Sequence, residues 1–146
     1  MTAQSFAIVP AASPETAPAQ PLGGRVAAPD RALLERLRGL ARHAQLSPSM
    51  GLESACTLIE PGSATAYGEA LLRMLAATSP RALVFHPREA AEASFDELWL
   101  VRLIRCLQAR DEASAQLLLG RRVGPVGRRT VGYLALGFAE RLNADA

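Results

Sequence analysis

The sequence predicts an all-α fold, a single small helical bundle of four to five main helices with a disordered N-terminal tail. Apolar residues recur at helical spacing through most of the chain after residue 29. The prolines of that part are Pro48, Pro61, Pro80, Pro87 and Pro125. All of them fall between the periodic segments, where helices are expected to end. Because the breakers and the periodicity agree, a helical bundle is favoured.

Residues 1–29 differ from the rest of the chain in composition. They hold five of the ten prolines, and Ala, Gln, Ser and Gly fill most of the remaining positions. Such a segment buries too little apolar surface to offset its ordering entropy. We therefore expect a disordered Ala/Pro-rich tail at 1–29 and a helical domain at 30–146. Phe6, Ile8 and Val9 form an apolar tip in this tail, which either docks onto a partner protein or packs on its own domain.

Three segments with different patterns follow the tail. Asp30 is a suitable N-cap for a first amphipathic helix that runs to about residue 45, with Arg38 on its polar side. Residues 52–59 are ambiguous and are predicted as a short helix, and residues 63–78 give a second clear helix. Residues 82–86 have strand character but no obvious partner, so we expect an extended segment that lies over helices.

The stretch from Ser94 to Arg110 is predicted to be the central helix. Its apolar residues, including Phe95 and the single Trp, fill one half of a helical wheel, whereas Glu97 lies on the other half. An arc this wide needs several neighbours to cover it. Ser94 and Glu97 have the spacing of a capping box, which fixes the start of the helix.

The C-terminal part contains two further helices. Asp111 is expected to cap a helix that reaches about Arg121, although no breaker excludes one continuous helix from residue 95. Residues 120–127 are predicted as a loop, because they combine glycines with Pro125. The last helix follows, and its apolar side runs from Val131 to Leu142.

Composition and motifs give no support for catalysis. The net charge is only +2, and the basic residues are all Arg, which codon bias explains. No apolar run approaches the ~20 residues of a membrane span, and no secretory signal is visible, so a cytoplasmic location is expected. The sequence contains no nucleophile elbow and no P-loop. We expect no catalytic residue and no cofactor.

The potential metal ligands do not form a recognisable site. Cys56 and Cys106 lie far apart among apolar residues and are expected to be buried free thiols. Neither they nor His43 and His86 have the spacing of a metal site such as CxxC or HxxxH. We therefore expect no metal. A deep, polar pocket holding His43 or His86 would favour a third possibility, an enzyme or a ligand-binding bundle.

The most specific local feature is the run LGRRVGPVGRRTVGYL at residues 119–134, where four arginines flank a Gly/Pro turn between two predicted helices. This run resembles a helix-turn-helix, although its turn is one residue too long and Gly132 and Gly137 each weaken the second helix by about 1 kcal/mol. The resemblance implies that some of these side chains read a major groove and that others contact phosphates. The candidates are Arg121, Arg122, Arg128, Arg129, Thr130 and Tyr133. In the alternative interpretation, the arginines cap carbonyls and pair with carboxylates of the same chain.

Two functional hypotheses follow from these observations. The first is a small non-catalytic cytoplasmic protein that acts as a protein-interaction or regulatory module, through a helical face or the apolar tip. The second is a DNA- or RNA-binding regulator that uses the arginine-rich turn at 119–134. Homo-oligomerisation is compatible with both hypotheses.

Overall fold

The computed structural model describes residues 6–8, 24–46 and 63–146, which form five α-helices and two short β-strands. The elements are β1 (Phe6–Ile8), α1 (Ala28–Leu46), α2 (Ala64–Thr78), β2 (Leu83–Phe85), α3 (Phe95–Gln108), α4 (Glu112–Arg122) and α5 (Pro125–Ala144). The predicted all-α class is confirmed. The short helix predicted at 52–59 lies outside the described residues, as does most of the tail. None of the described helices is both long and apolar enough to cross a membrane.

Helix α1 begins two residues before the predicted N-cap. Pro29 lies in its first turn, where the missing N–H of proline has no helical partner to lose. Asp30 is therefore a first-turn residue, and its Oδ1 accepts a hydrogen bond from Arg105 Nε at 2.7 Å. This contact joins the start of α1 to the end of α3.

Helix α3 is the central helix, as predicted, and it packs against α1, α4, α5 and β2. The capping box between Ser94 and Glu97 is confirmed. The helical wheel was wrong for two residues: Glu97 is completely buried, and Phe95 is 51% exposed. Glu97 is buried because Arg38 of α1, also buried despite its predicted polar side, lies against it in an ion pair.

Strand β2 has a partner that the sequence did not reveal. It pairs in parallel with β1, in the register Phe6 with Leu83 and Ile8 with Phe85. Its other edge faces side chains at the start of α3: Asp96 accepts a hydrogen bond from Val84 N, and Glu97 accepts one from His86 N. These carboxylates take the place of a third strand, which is how so short a ladder satisfies its backbone groups.

A sharp turn separates α3 from α4, as expected from Asp111 as the capping residue of a separate helix. The N–H groups of Arg110 and Asp111 donate to the carbonyls of Leu107 and Cys106, which is the hydrogen-bond pattern of a Schellman motif. Arg110 has a φ of 57°, in the left-handed region that glycine usually occupies. The hydrogen bonds from Ser114 to Asp111 cap α4 and lower the pKa of the Asp111 carboxyl.

The loop predicted at 120–127 is mostly helical. Helix α4 continues to Arg122 and α5 begins at Pro125, so only Val123 and Gly124 connect them. Pro125 occupies the first helical position, where proline is well tolerated, so it starts the helix and does not mark a longer loop.

Helix α5 packs closely against α2 because glycines line the contact. A Cβ atom on Gly127 would lie 2.5 Å from Thr78, and one on Gly137 would lie 2.3 Å from the Tyr67 ring. Gly137, which weakens α5 as an isolated helix, is therefore needed for its packing, as is Gly127. Helices α2, α3 and α5 enclose much of the buried core, including Leu71, Leu103 and Phe138.

Candidate interaction surface on the last helix

Helix α5 has one face in the core and one face in solvent. Val131, Leu134 and Phe138 are buried. Five side chains on the opposite side are exposed, and we call them the α5 stripe: Val126, Arg129, Tyr133, Leu136 and Glu140. The exposed fraction is 98% for Val126, 59% for Tyr133 and 39% for Leu136. The stripe therefore presents three large apolar or aromatic side chains to solvent.

The α5 stripe has the spacing of a helix-pairing seam. Its members follow one another at alternating intervals of three and four residues, which places them in one line along the helix. Arg129 lies near one end of the line and Glu140 at the other end, with Tyr133 and Leu136 between them. Within the described part of the chain, neither Arg129 nor Glu140 has an ion-pair partner.

Tyr133 lies beside Tyr67, a buried residue of α2. The Arg141 guanidinium lies 3.8 Å from the centroid of the Tyr67 ring. Burial, followed by the interaction with Tyr133, raises the pKa of Tyr67 above its ordinary value of 10.0. A tyrosine side chain has few rotatable bonds, so Tyr133 loses little conformational entropy when a partner covers it.

Two of the four arginines proposed for nucleic acid have partners in the chain. Arg122 forms an ion pair with Asp96, and its guanidinium lies 5.5 Å from the Phe95 ring centroid. Burial, and then the nearby charge of Arg81, lower the pKa of Arg122. Arg128 donates from Nε and Nη2 to the Val123 carbonyl oxygen, at 3.3 and 3.1 Å. These contacts match the alternative interpretation, in which the arginines pair within the chain.

The other nucleic-acid candidates are exposed. Arg129, Thr130 and Tyr133 lie on the solvent side of α5, and Arg121 is exposed near the end of α4. Arg81 is also exposed and close enough to Arg122 to affect its pKa. Because Thr78 contacts the first turn of α5, the end of α2 lies beside these arginines. This end of the bundle is therefore basic.

The apolar tip of the predicted tail lies only partly within the described residues. Phe6 and Ile8 belong to β1 and pair with β2 of the same domain, whereas Val9 lies outside the described residues. Between the two alternatives for the tip, this arrangement agrees with packing on its own domain.

Sequence reasoning missed Val126 and Leu136. Val126 fell in the predicted loop, and Leu136 lies beside the apolar side of the last helix. The signal that would have found both is the three-and-four spacing through Arg129 and Tyr133, once α5 is allowed to begin at Pro125.

The predictions about the cysteines and the metal ligands can be checked for the described part of the chain. Cys106 is a free thiol, as predicted, but it is half-buried and not fully buried. Its partial burial raises its pKa. Cys56 lies outside the described residues. Across residues 6–8, 24–46 and 63–146, no group of three or more His, Cys, Asp or Glu side chains is placed to hold a metal ion. No protein-family model, curated protein or solved structure matches the chain.

Proposed function

We propose that this protein is a non-catalytic interaction module that pairs with a helix of a partner along the α5 stripe. The observation that carries the proposal is the exposure of Val126, Tyr133 and Leu136 in one line with Arg129, which has no ion-pair partner among the described residues. Contiguous apolar surface on a small domain often marks an interaction site. Tyrosine and arginine are also the residues that most often dominate binding energy at protein interfaces.

The charges of the stripe fit a second copy of the same helix. When two α5 helices lie antiparallel about a two-fold axis between Tyr133 and Leu136, Arg129 of each copy faces Glu140 of the other. Tyr133 of each copy then faces Leu136 of the other. Such an isologous contact uses one self-complementary surface twice, as in most cyclic dimers. In a parallel arrangement, by contrast, Arg129 would face Arg129.

Apolar burial and charge have different roles in this pairing. Fully burying an exposed leucine contributes roughly 1.5–3 kcal/mol. Leu136 is 39% exposed and Tyr133 is 59% exposed, so covering each contributes part of such a value, and together they provide most of the affinity. The rim pairs between Arg129 and Glu140 are exposed to water and contribute little energy themselves. They determine instead how the two helices are oriented, because an arrangement that places like charges opposite each other is disfavoured.

A charge exchange tests the pairing. Sedimentation equilibrium should show a reversible dimer for the wild-type chain, and Arg129→Glu should weaken dimerisation at least tenfold because two carboxylates then face each other. The double variant R129E/E140R should restore dimerisation, since the opposite charges face each other again. Arg102→Glu is the matched control, because Arg102 is an exposed arginine of α3 outside the stripe.

Two outcomes would contradict the pairing. A wild-type chain that remains monomeric at several hundred micromolar would exclude a second copy as the partner. A double variant that dimerises no better than R129E would show that Arg129 and Glu140 do not face each other. The regulatory role and the cytoplasmic location expected from the sequence stay predictions.

A second candidate function is nucleic-acid binding through the basic end of the bundle. The observation that favours it is the grouping of exposed Arg81, Arg121 and Arg129 where α2 ends and α5 begins. Arginines at such positions neutralise phosphates, and the resulting affinity falls steeply with salt.

The salt dependence of duplex DNA binding tests this second function. The variant R81Q/R121Q leaves the α5 stripe and the internal contacts of Arg122 and Arg128 unchanged. If these arginines contact phosphates, the slope of log affinity against log salt should fall by roughly 0.9 for each arginine removed. No binding by the wild-type chain at low salt would exclude this function.

A further inference from the structure

A cleft of about 240 Å³ lies between α1 and the segment that follows β2. Helix α1 contributes Arg38, Gly39, Arg42 and His43 to its lining, and the segment 85–88 contributes the remainder. Among the described residues, the lining of the cleft therefore includes both histidines of the chain and three arginines but no carboxylate. The pocket expected for ligand binding was deep and polar and held His43 or His86; this cleft contains both histidines, but its floor is apolar.

The cations of the cleft divide into paired and unpaired groups. The Arg38 guanidinium binds Glu97 at 2.9 and 3.0 Å, and His43 Nδ1 lies 2.5 Å from Glu69 Oε1. Arg42 and Arg88 are exposed, and neither has an ion-pair partner in the described parts of the chain. Two forked guanidinium groups thus stand at the rim without a counter-charge.

His86 adds an oriented ring to the same cleft. Its Nδ1 lies 2.8 Å from the Glu92 carbonyl oxygen. A carbonyl only accepts hydrogen bonds, so Nδ1 carries the proton and Nε2 is left for other partners. The backbone N–H of His86 donates to Glu97 at 2.7 Å, which fixes the main chain beneath the ring. The main chain that carries the ring is therefore anchored to α3, and the ring itself is held by the Glu92 carbonyl.

The floor of the cleft is apolar. Phe85 is 1% exposed, and Pro87 and the aliphatic stems of the arginines complete the surface around it. Arginine stems commonly cover apolar surface while their charged ends remain in water. An apolar floor below a cationic rim suits a ligand that has an apolar body and an anionic group.

Gly39 keeps the cleft open. It lies in the middle of α1, where glycine costs about 1 kcal/mol relative to alanine. A Cβ atom on Gly39 would have no atom within 4 Å, in contrast to Gly127 and Gly137, which are needed for helix packing. Packing therefore does not explain this glycine, and any side chain placed there would enter the open space of the cleft.

We infer that this cleft binds a small organic anion, a phosphate or carboxylate attached to a compact apolar body. Arginine forks match both groups, because each group accepts two parallel N–H bonds. The volume is below the ~300–1,000 Å³ of most drug-sized sites, so a single-ring ligand fits best. The site lies on α1 and β2, and it does not depend on the pairing proposed for α5.

Amide NMR titrations of the ¹⁵N-labelled full chain test the inference. The probes are phenyl phosphate, benzoate and inorganic phosphate, with benzyl alcohol as the neutral control. Saturable shifts should appear at residues 38–43 and 85–88 with at least one of the two aromatic anions. The affinity for benzyl alcohol should be at least tenfold lower than that for the aromatic anion. The difference between phenyl phosphate and benzoate identifies the preferred head group, and that between phenyl phosphate and inorganic phosphate measures the contribution of the ring.

Two variants separate shape from charge. Gly39→Leu fills the cleft without changing its charge, and R42Q/R88Q removes the rim charge without filling the cleft. Each variant should raise the Kd of the preferred anion at least tenfold. Arg102→Gln should leave this Kd unchanged, because Arg102 lies on α3, outside the cleft. Circular dichroism confirms that each variant is folded, and R42Q/R88Q decides the question if G39L does not fold.

The inference is overturned by either of two results. One is the absence of saturable shifts at residues 38–43 and 85–88 with both aromatic anions. The other is an unchanged Kd in folded R42Q/R88Q, which would mean that the rim arginines do not recognise the anion.

Discussion

At the scale of single residues, the pair between Arg38 and Glu97 determines how the segment before α3 is held. The Glu97 carboxylate accepts hydrogen bonds from the backbone of His86 and Ser94 as well as from Arg38. Arg38 in turn donates to the carbonyls of Ala90 and Glu92. A buried ion pair is tolerated when its remaining hydrogen-bonding groups are satisfied in this way.

Replacing Glu97 by Gln should destabilise the protein strongly. The amide cannot neutralise Arg38, and its NH₂ group would face donors, so the free energy of unfolding should fall by about 3–5 kcal/mol. Urea denaturation measures this change. Glu89→Gln, at an exposed position in the same segment, should have little effect. A Glu97→Gln protein as stable as the wild type would mean that the buried charges do not hold the segment.

Part of this network could be predicted from the sequence. The Ser94–Glu97 spacing identified the capping box because that motif is local. Arg38 could not be identified as the partner, since nothing near it in the sequence indicates a carboxylate on another helix. Two charged residues that are far apart in the sequence but pair in the fold each appear solvent-exposed on a helical wheel.

At the scale of helices, replacing a glycine by alanine should raise the stability of the protein at one position and lower it at two others, because the surroundings of the glycines differ. Gly39→Ala should stabilise the protein by about 0.5–1 kcal/mol, because alanine is the better helix former and the space is open. Gly127→Ala and Gly137→Ala should destabilise it by roughly 1–3 kcal/mol, because each Cβ would overlap α2 side chains. Thermal unfolding checks all three variants. A higher melting temperature for G137A would show that α2 and α5 are not closely packed.

The helix boundaries show which signals are visible in a sequence. Ser94 and Asp111 each cap the helix expected from them, because a side chain that bonds its own helix start needs only local residues. Ser63 caps the helix that was predicted at 63–78 from periodicity alone. The connection between α4 and α5 was predicted too long, because Pro125 was taken as a breaker. The α5 stripe depends on this boundary, so its full length could not be recognised from periodicity alone.

At the scale of the whole molecule, the bundle was predictable and the strand pair was not. Helical periodicity identifies a core-facing side for every main helix, and this is enough to establish an all-α class. The pairing of β1 with β2 joins a proline-rich region to the middle of the chain. Parallel strands with α1 and α2 between them give no hairpin signal in the sequence. The basic cleft was equally hidden, since its residues come from segments far apart in sequence.

The parallel pairing of Phe6 with Leu83 also has a consequence for the order of events during synthesis. At roughly 5–20 residues per second, the first strand leaves the ribosome several seconds before its partner has been translated. During that interval its backbone groups have only water or another chain to bond with. The ladder therefore cannot close until α1, α2 and the second strand have been made, so the N-terminal strand stays without its partner well after it has been synthesised.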